Sequence, residues 1–337
     1  MLEKDFKLLF INVKNDILNT QYRVMANANS ELINLYFRLG KVISDNVQYG
    51  NKFVKQLETS LKLEFPSAKG FSARNLSRMK TFYEEYKDFS ILPTPLAKLP
   101  WSHNYLLIEK IKNVEVRLWY AEACIKNGWS FIVLTHQIDT CLYQRQMENP
   151  KLTNFNERLN STQGKLAKEI LKDPYIFELS GLKDKADERD IEEAMLERIK
   201  TVLLELGKGF SFIANQYKIS TGDTDYYIDL LFYHLELRCY VVVELKNTKF
   251  KPEYAGQIGF YVTAINETLK KPCDNDTIGL LLCKERDKLS VDWSLKSLNV
   301  SLGISSYEID KYISREILEK LPTEDDINLH LGVEDNL

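Results

Sequence analysis

The sequence predicts a two-domain α+β protein: an all-α front half, and an α/β back half in which a mixed sheet is flanked by helices. Three observations carry this. The chain's 337 residues exceed a common domain size of roughly 100 to 200. Residues 3 to 147 place apolar side chains at helical spacing. From Phe210 onward the apolar period shortens from about 3.6 to about 2, or gives way to continuous apolar runs. With 44% hydrophobic residues, 28% charged residues, 14 Gly and 9 Pro, the chain is neither collagen-like, low-complexity nor wholly disordered.

In the front half, Leu32, Leu35, Tyr36 and Leu39 make one apolar helix face, and Phe53, Leu57, Leu61 and Phe65 step by four along a second helix that Pro66 ends. Ser72 suits the N-cap of a third helix, whose Leu76, Met79, Phe82, Tyr83 and Tyr86 form the inward stripe. Another starts at Ser130, with Phe131, Leu134, Ile138 and Leu142 in period. Residues 1–150 are thus expected to form a helical domain, 151–186 a polar linker with one short helix, 187–322 a second domain, and 323–337 an acidic tail. The second domain opens on an amphipathic helix from Asp190 to Gly207. Strands are expected at 212–219, 226–233, 238–245, 277–283 and 300–309, with a helix at 252–269 between the third and fourth.

The net charge of −3 argues by itself against a chain that coats nucleic acid through bulk basicity. It is unevenly spread: residues 1–150 carry 20 basic and 15 acidic groups, and the remainder 25 and 33. No apolar run approaches the roughly 18 residues a membrane span needs, and Glu3, Lys4, Asp5 and Lys7 interrupt any signal-peptide core, so a cytoplasmic protein without a membrane partner is expected. Five cysteines without a C-x-x-C pair read as reduced core thiols.

The chemistry lies in two apolar strands that each contain a charge. The run 226–233 holds Asp229, and the run 241–246 ends with Glu244 and Lys246. A hairpin turning at Glu236-Leu237 sets opposite each other residues whose numbers total 473, which makes Asp229 and Glu244 direct neighbours, their Cβ atoms about 5 Å apart. Lys246 shares their face, because strand side chains alternate. Facing carboxylates repel, and a divalent cation bridging them would compensate; Mg²⁺ is commonly held by one or two carboxylates, with water and phosphate oxygens completing its shell. Such a metal activates water and stabilises a phosphoryl transition state, while Lys246 activates the water or contacts the phosphate. The plainer alternative is a salt-bridged strand end with Asp229 capping a turn. It fits less well, because carboxylates embedded in apolar runs are rarely kept without a partner.

The same residues resemble a family. Strand-Asp, hairpin, strand-(D/E)xK is the signature of the PD-(D/E)XK nuclease superfamily, here with Ile228 in place of the signature proline. More closely, Leu203-Leu-Glu-Leu-Gly-Lys-Gly-Phe-Ser-Phe212, Ile228-Asp-Leu-Leu-Phe-Tyr-His234, Glu244-Leu-Lys246, Phe250-Lys-Pro-Glu-Tyr-Ala-Gly-Gln257 and Thr277-Ile-Gly-Leu-Leu-Leu-Cys283 look like the YhcG-like bacterial PDDEXK nuclease-domain proteins. In the front half Gly70-Phe-Ser-Ala-Arg-Asn-Leu-Ser-Arg-Met79, Leu99-Pro-Trp-Ser-His-Asn104, Trp119-Tyr-Ala-Glu122 and Gly128-Trp-Ser130 are similar to that family too. The resemblance implies a PD-(D/E)XK nuclease core, Mg²⁺ or Mn²⁺ as cofactor, a helical N-terminal domain, winged-helix-like in one reading, that binds DNA, and a setting in mobile elements, restriction or phage defence. Position by position it implies Asp229 and Glu244 as metal ligands and Lys246 as the catalytic lysine. It also implies Gln257 and Tyr261 as a Q-x-x-x-Y element near the metal or phosphate, and Glu192 as the acid of the first core helix, although Glu193 and Glu197 stand close by.

Arg74 and Arg78, with Asn75 and Lys80 nearby, form a basic helix suited to phosphates; residues 62–80 hold five basic groups and one acidic. A solvated basic face is the plain alternative. Trp101, Trp119 and Trp129 read as packing residues, and His103, His136 and His234 sit in no catalytic arrangement. Gly207-Lys-Gly209 and Gly164-Lys165-Leu166 lack a phosphate-loop pattern, so no nucleotide cofactor is expected. The expected activity is metal-dependent phosphodiester hydrolysis of double-stranded or branched DNA, with a homodimer as one arrangement for cutting both strands. A non-catalytic module that binds nucleic acid or a partner is the competing reading, and a structure-selective enzyme acting on branched DNA is another.

Overall fold

The computed structural model describes residues 2–46, 50–89, 91–179, 186–222 and 224–310, so the expected acidic tail lies outside the described residues. The chain divides into two compact units, Met1–Thr135 and His136–Leu337.

The first unit is helical: α1 (Leu2–Asp45), α2 (Gly50–Glu64), α3 (Ala73–Tyr86), α4 (Thr94–Lys98), α5 (Trp101–Lys110), α6 (Val114–Asn127) and the start of α7 (Phe131–Asp139). Its described residues include no strand, and therefore no strand pair that a wing would require. Ser72 caps α3 as expected, its hydroxyl accepting the Asn75 N–H at 3.3 Å. The inward stripe of α3 meets aromatic residues from α1 and α5: Phe82 packs edge-on against Phe37 and Trp101, and Tyr36 against Trp101. Helices α1 and α3 approach so closely at Gly40 that a Cβ there would lie 2.1 Å from the Met79 carbonyl oxygen. No helix among the described residues is long and apolar enough to cross a membrane.

In the second unit a π-helical turn (Gln144–Glu148) precedes β1 (Leu152–Thr153), α8 (Phe155–Arg158), α9 (Ser161–Ile170) and β2 (Tyr175–Glu178). Two helices follow, α10 (Glu188–Glu197) and α11 (Ile199–Leu206), where the sequence suggested one. The chain breaks at Arg198 (φ −122°), and Ile191 and Met195 before it enter the same core as Val202 and Leu206 after it. Then come β3 (Phe210–Thr221), β4 (Thr224–His234), β5 (Cys239–Lys249), α12 (Pro252–Thr268), β6 (Ile278–Glu285), α13 (Lys288–Ser297) and β7 (Ser301–Asp310). The sheet runs β1-β7-β6-β5-β4-β3, with β2 also on β7. It is mixed, because β3–β4 and β4–β5 are antiparallel hairpins while β5–β6 and β6–β7 are parallel pairs. Strands β5 and β6 are covered on both faces, which explains their unbroken apolar runs. Val241, Val243 and Leu245 pack with α9, α10 and α11, while Val242, Leu281 and Cys283 pack with α12 and α13.

Residues 151–186, expected as a linker, are part of this second unit wherever they are described. Leu152 pairs with Ile304 and Tyr175 with Tyr307. A buried ionic cluster ties the segment down: Glu205 takes Arg145 at 2.5 Å, accepts the Ile176 N–H at 2.9 Å and holds Lys172. All five cysteines are free; Cys124, Cys239 and Cys283 are buried, whereas Cys141 and Cys273 are exposed rather than in the core.

Candidate active site

The β4–β5 hairpin has the register read from the sequence: Leu230 pairs with Val243, and the ladder continues to His234 with Cys239. Beyond Leu230 and Val243 the two strands part. β4 continues along β3 and β5 along β6. Asp229 and Glu244 occupy this fork, and their carboxylates replace the missing ladder bonds. The Asp229 N–H donates to Glu244 Oε1 at 3.2 Å, and the Leu245 N–H donates to Asp229 Oδ2 at 2.9 Å. Each carboxylate is therefore anchored by the main chain of the opposite strand, which holds it more rigidly than side-chain contacts alone would.

Burial and like charge work against ionisation here. Glu244 is 1% exposed, and burial, with the Asp229 charge beside it, pushes its carboxyl up to about 8. Burial also raises Asp229, against the bond from Leu245 and the charge of Lys246. Lys246 Nζ lies 3.5 Å from Glu244 Oε2 and 3.5 Å from Glu188 Oε2. Burial acts to lower its pKa, but Glu244, Asp229 and Glu188 together outweigh that and raise it, so Lys246 stays a cation. The α10 acid Glu192 is buried as well, and burial raises its pKa. Its Oε2 accepts Gln216 Nε2 at 2.7 Å, and the same nitrogen lies 3.5 Å from Asp229 Oδ1. Its Oε1 is buried without a hydrogen-bond partner.

On α12, Gln257 Nε2 donates to the Tyr261 hydroxyl at 3.0 Å. Burial raises the Tyr261 phenol, and the charges of Glu244 and Asp229 add to that, which places the hydroxyl in the field of both acids. Asp229, Glu244, Lys246, Glu192, Gln257 and Tyr261 thus fall in one neighbourhood. Arg74, Asn75, Arg78 and Lys80 lie on α3 of the first unit. There Arg74 is exposed, Arg78 stacks 3.8 Å above the Tyr105 ring, and Lys80 pairs with Glu84 at 3.5 Å. The Asn75 side chain is occupied by the fold: its amide nitrogen bonds the Gly70 carbonyl at 2.5 Å and its oxygen takes Trp101 Nε1 at 2.7 Å. His234 serves the hairpin turn, its Nδ1 accepting the Leu237 N–H at 3.1 Å. Its ring lies so close to Gly209 (φ +98°) that a Cβ there would come within 2.8 Å of it.

Two residues of the site were not read from the sequence. Glu188, which holds Lys246 and accepts the Asn247 N–H at 3.0 Å, has no signal among the acids around it. Gln216 had one: extending the β3–β4 hairpin back from Thr221 and Thr224 sets the polar Asn215-Gln216 interruption of β3 against Leu230 and Asp229.

The donor set is hard oxygen. Two adjacent carboxylates with raised pKa values and one further orphaned carboxylate oxygen form an environment that a divalent cation would relieve. Among the described residues no three of Asp, Glu, His and Cys converge as a preformed metal cluster, so a cation held by two carboxylates would complete its shell with water, phosphate or a further carboxylate that closes on it.

A mixed sheet between helical layers fits the fold of a PDDEXK nuclease domain, and residues 168–322 match the family described as the YhcG PDDEXK nuclease domain. Residues 12–145 match the DUF1016 N-terminal domain. The chain thus carries a YhcG PDDEXK nuclease domain preceded by a DUF1016 N-terminal domain. Among its relatives is the Escherichia coli (strain K12) protein named "Putative nuclease YhcG", 29% identical over 302 residues that cover 81% of this chain and 80% of that protein. Two solved structures show distant likeness at 16% identity. One, "Structure of EndoMS-dsDNA2 complex", has a TM-score of 0.28 and covers 40% of this chain and 49% of its own. The other, a repair endonuclease from Pyrococcus abyssi, has a TM-score of 0.26 with coverages of 39% and 50%. The chain therefore spans about half the length of the solved structures it matches.

Proposed function

We propose that this protein hydrolyses phosphodiester bonds of DNA in a reaction that depends on Mg²⁺ or Mn²⁺, with Asp229 and Glu244 as the metal-holding carboxylates. The carrying observation is the pair of carboxylates at the strand fork, anchored by main-chain N–H groups and accompanied by one lysine. Bound there, a divalent cation would supply an activated water and an electrophile for the phosphate. The protein's own groups do the rest. Lys246, kept protonated by three carboxylates, donates to a non-bridging phosphate oxygen as charge builds there. Gln257 and Tyr261 present a linked amide and hydroxyl that orient the scissile group or its water. In the first unit, Arg74 and Arg78 lie one turn apart on α3 and grip the DNA backbone; Lys80 adds charge, and Asn75 shapes the helix start. Residues 1–150 act as the DNA-gripping part and 187–322 as the cutting part, in the cytoplasm, as a homodimer where both strands are cut. The setting implied by the family resemblance is mobile elements, restriction or phage defence.

The test is digestion of linear, nicked, flapped and four-way DNA, with Mg²⁺ and with Mn²⁺, by wild type beside Glu244→Ala. The expected outcome is metal-dependent cutting by wild type and a loss of at least about a hundredfold in the variant, with binding retained. Equal activity of the two proteins across both metals would sink the mechanism. Binding without cutting by either would favour a non-catalytic module, and cutting confined to flapped or four-way DNA a structure-selective enzyme.

A further inference from the structure

Gln216 has a backbone φ of +46°, in the left-handed region that residues with side chains other than Asn and Asp seldom adopt. Asn215 pairs with Leu230 and Tyr217 with Ile228, so Gln216 faces Asp229 across the β3–β4 ladder. The pleat breaks at this pair. Leu230 and Phe232 enter the core beneath α10 and α11, yet Ile228, which regular alternation would put on the same face, enters the core beneath α12. Gln216 itself is exposed, so no packing of its side chain accounts for the conformation. The conformation does aim the side-chain amide at two carboxylates from different elements, 2.7 Å from Glu192 Oε2 and 3.5 Å from Asp229 Oδ1. A sparsely populated backbone conformation persists where the surroundings over-determine it, which is commonest at functional sites.

We propose that Gln216 is a positioning residue of the nuclease site: its neutral amide clips Glu192 beside Asp229 and brings Glu192 in as a third carboxylate for the divalent cation. This rests on the metal-dependent reading given above. A neutral donor suits the task. It occupies one oxygen of Glu192 and leaves the buried, unpartnered Oε1 for the cation, whereas a lysine or arginine in its place would neutralise the acids and compete with the metal. Gln216 also makes the strand conformation and the carboxylate geometry one device, since the residue that breaks the pleat beside Asp229 is the one that holds Glu192.

The test is calorimetric titration of the full chain with Mn²⁺, using wild type, Gln216→Gly, Glu192→Ala and the double variant. Glycine tolerates the left-handed backbone, so Gln216→Gly removes the amide while keeping the strand path. The expected result is an affinity about tenfold weaker in Gln216→Gly, with the thermal midpoint of the metal-free protein not lowered. In the Glu192→Ala background the same change should weaken binding by less than about twofold, because Gln216 acts through Glu192. An affinity within about twofold of wild type in the single Gly variant overturns the proposal, as does an equal loss in both backgrounds, which would show that Gln216 does not act through Glu192. If wild type takes up no more Mn²⁺ than Asp229→Ala does, the metal-dependent reading fails and the proposal falls with it.

Discussion

With 1% of its surface exposed and Asp229 beside it, Glu244 carries a carboxyl whose pKa is pushed up to about 8 from an ordinary 4.5. The folded metal-free protein therefore holds a proton there at pH values where the unfolded chain has already lost it. That contribution to stability is complete below the unfolded value and is lost as pH rises through about 8. Asp229 and Glu192, also raised, act in the same direction. Denaturant unfolding of metal-free protein is expected to show stability falling from pH 5 to pH 9 by up to about 4 kcal/mol, and Glu244→Gln should remove most of that slope. An unchanged slope in the variant would mean that Glu244 ionises normally. Because the proton must leave before a cation binds, Mn²⁺ affinity should rise over the same range. The acids and Lys246 were legible in the sequence as charges inside apolar strands. Gln216 was harder to see, because a left-handed φ at a polar residue leaves no trace in hydrophobic periodicity.

Among the elements, the β4–β5 hairpin was the most legible. The short turn at Glu236-Leu237 fixes its register, and that register aligned the two acids. Strands β1 and β2 were missed for the opposite reason: two and four residues long, they show no period of their own and owe their strand conformation to β7. The break between α10 and α11 also leaves no gap in the apolar stripe, since both helices turn the same side to the core. What secures the β2 region is charge, through Glu205 between Arg145 and Lys172. Glu205→Gln would leave two buried cations facing a neutral amide. It is expected to destabilise the protein by about 3 to 5 kcal/mol, read as a lower urea midpoint with the same slope. A shift below about 1 kcal/mol would show that water reaches the cluster.

Over the whole molecule, the net charge of −3 hides a basic front half and an acidic back half, so bulk charge alone says little about a nucleic-acid partner. If α3 grips DNA, replacing Arg74 and Arg78 by alanine should weaken binding and flatten its salt dependence by about one unit of slope per arginine, leaving the cutting rate at saturating DNA unchanged. Fluorescence anisotropy across a salt series measures this, and an unaltered slope would remove α3 from the interface. The two units also differ in how far apart along the chain their contacts lie. In the first, α3 packs on its near neighbours in sequence, α1 and α5. In the second, Leu152 waits for Ile304 and Tyr175 for Tyr307. During synthesis the helical unit can fold as it leaves the ribosome, whereas β1 and β2 cannot join the sheet until β7 has emerged. A ribosome stalled before Ser301 thus carries a chain whose first two strands have nothing to pair with.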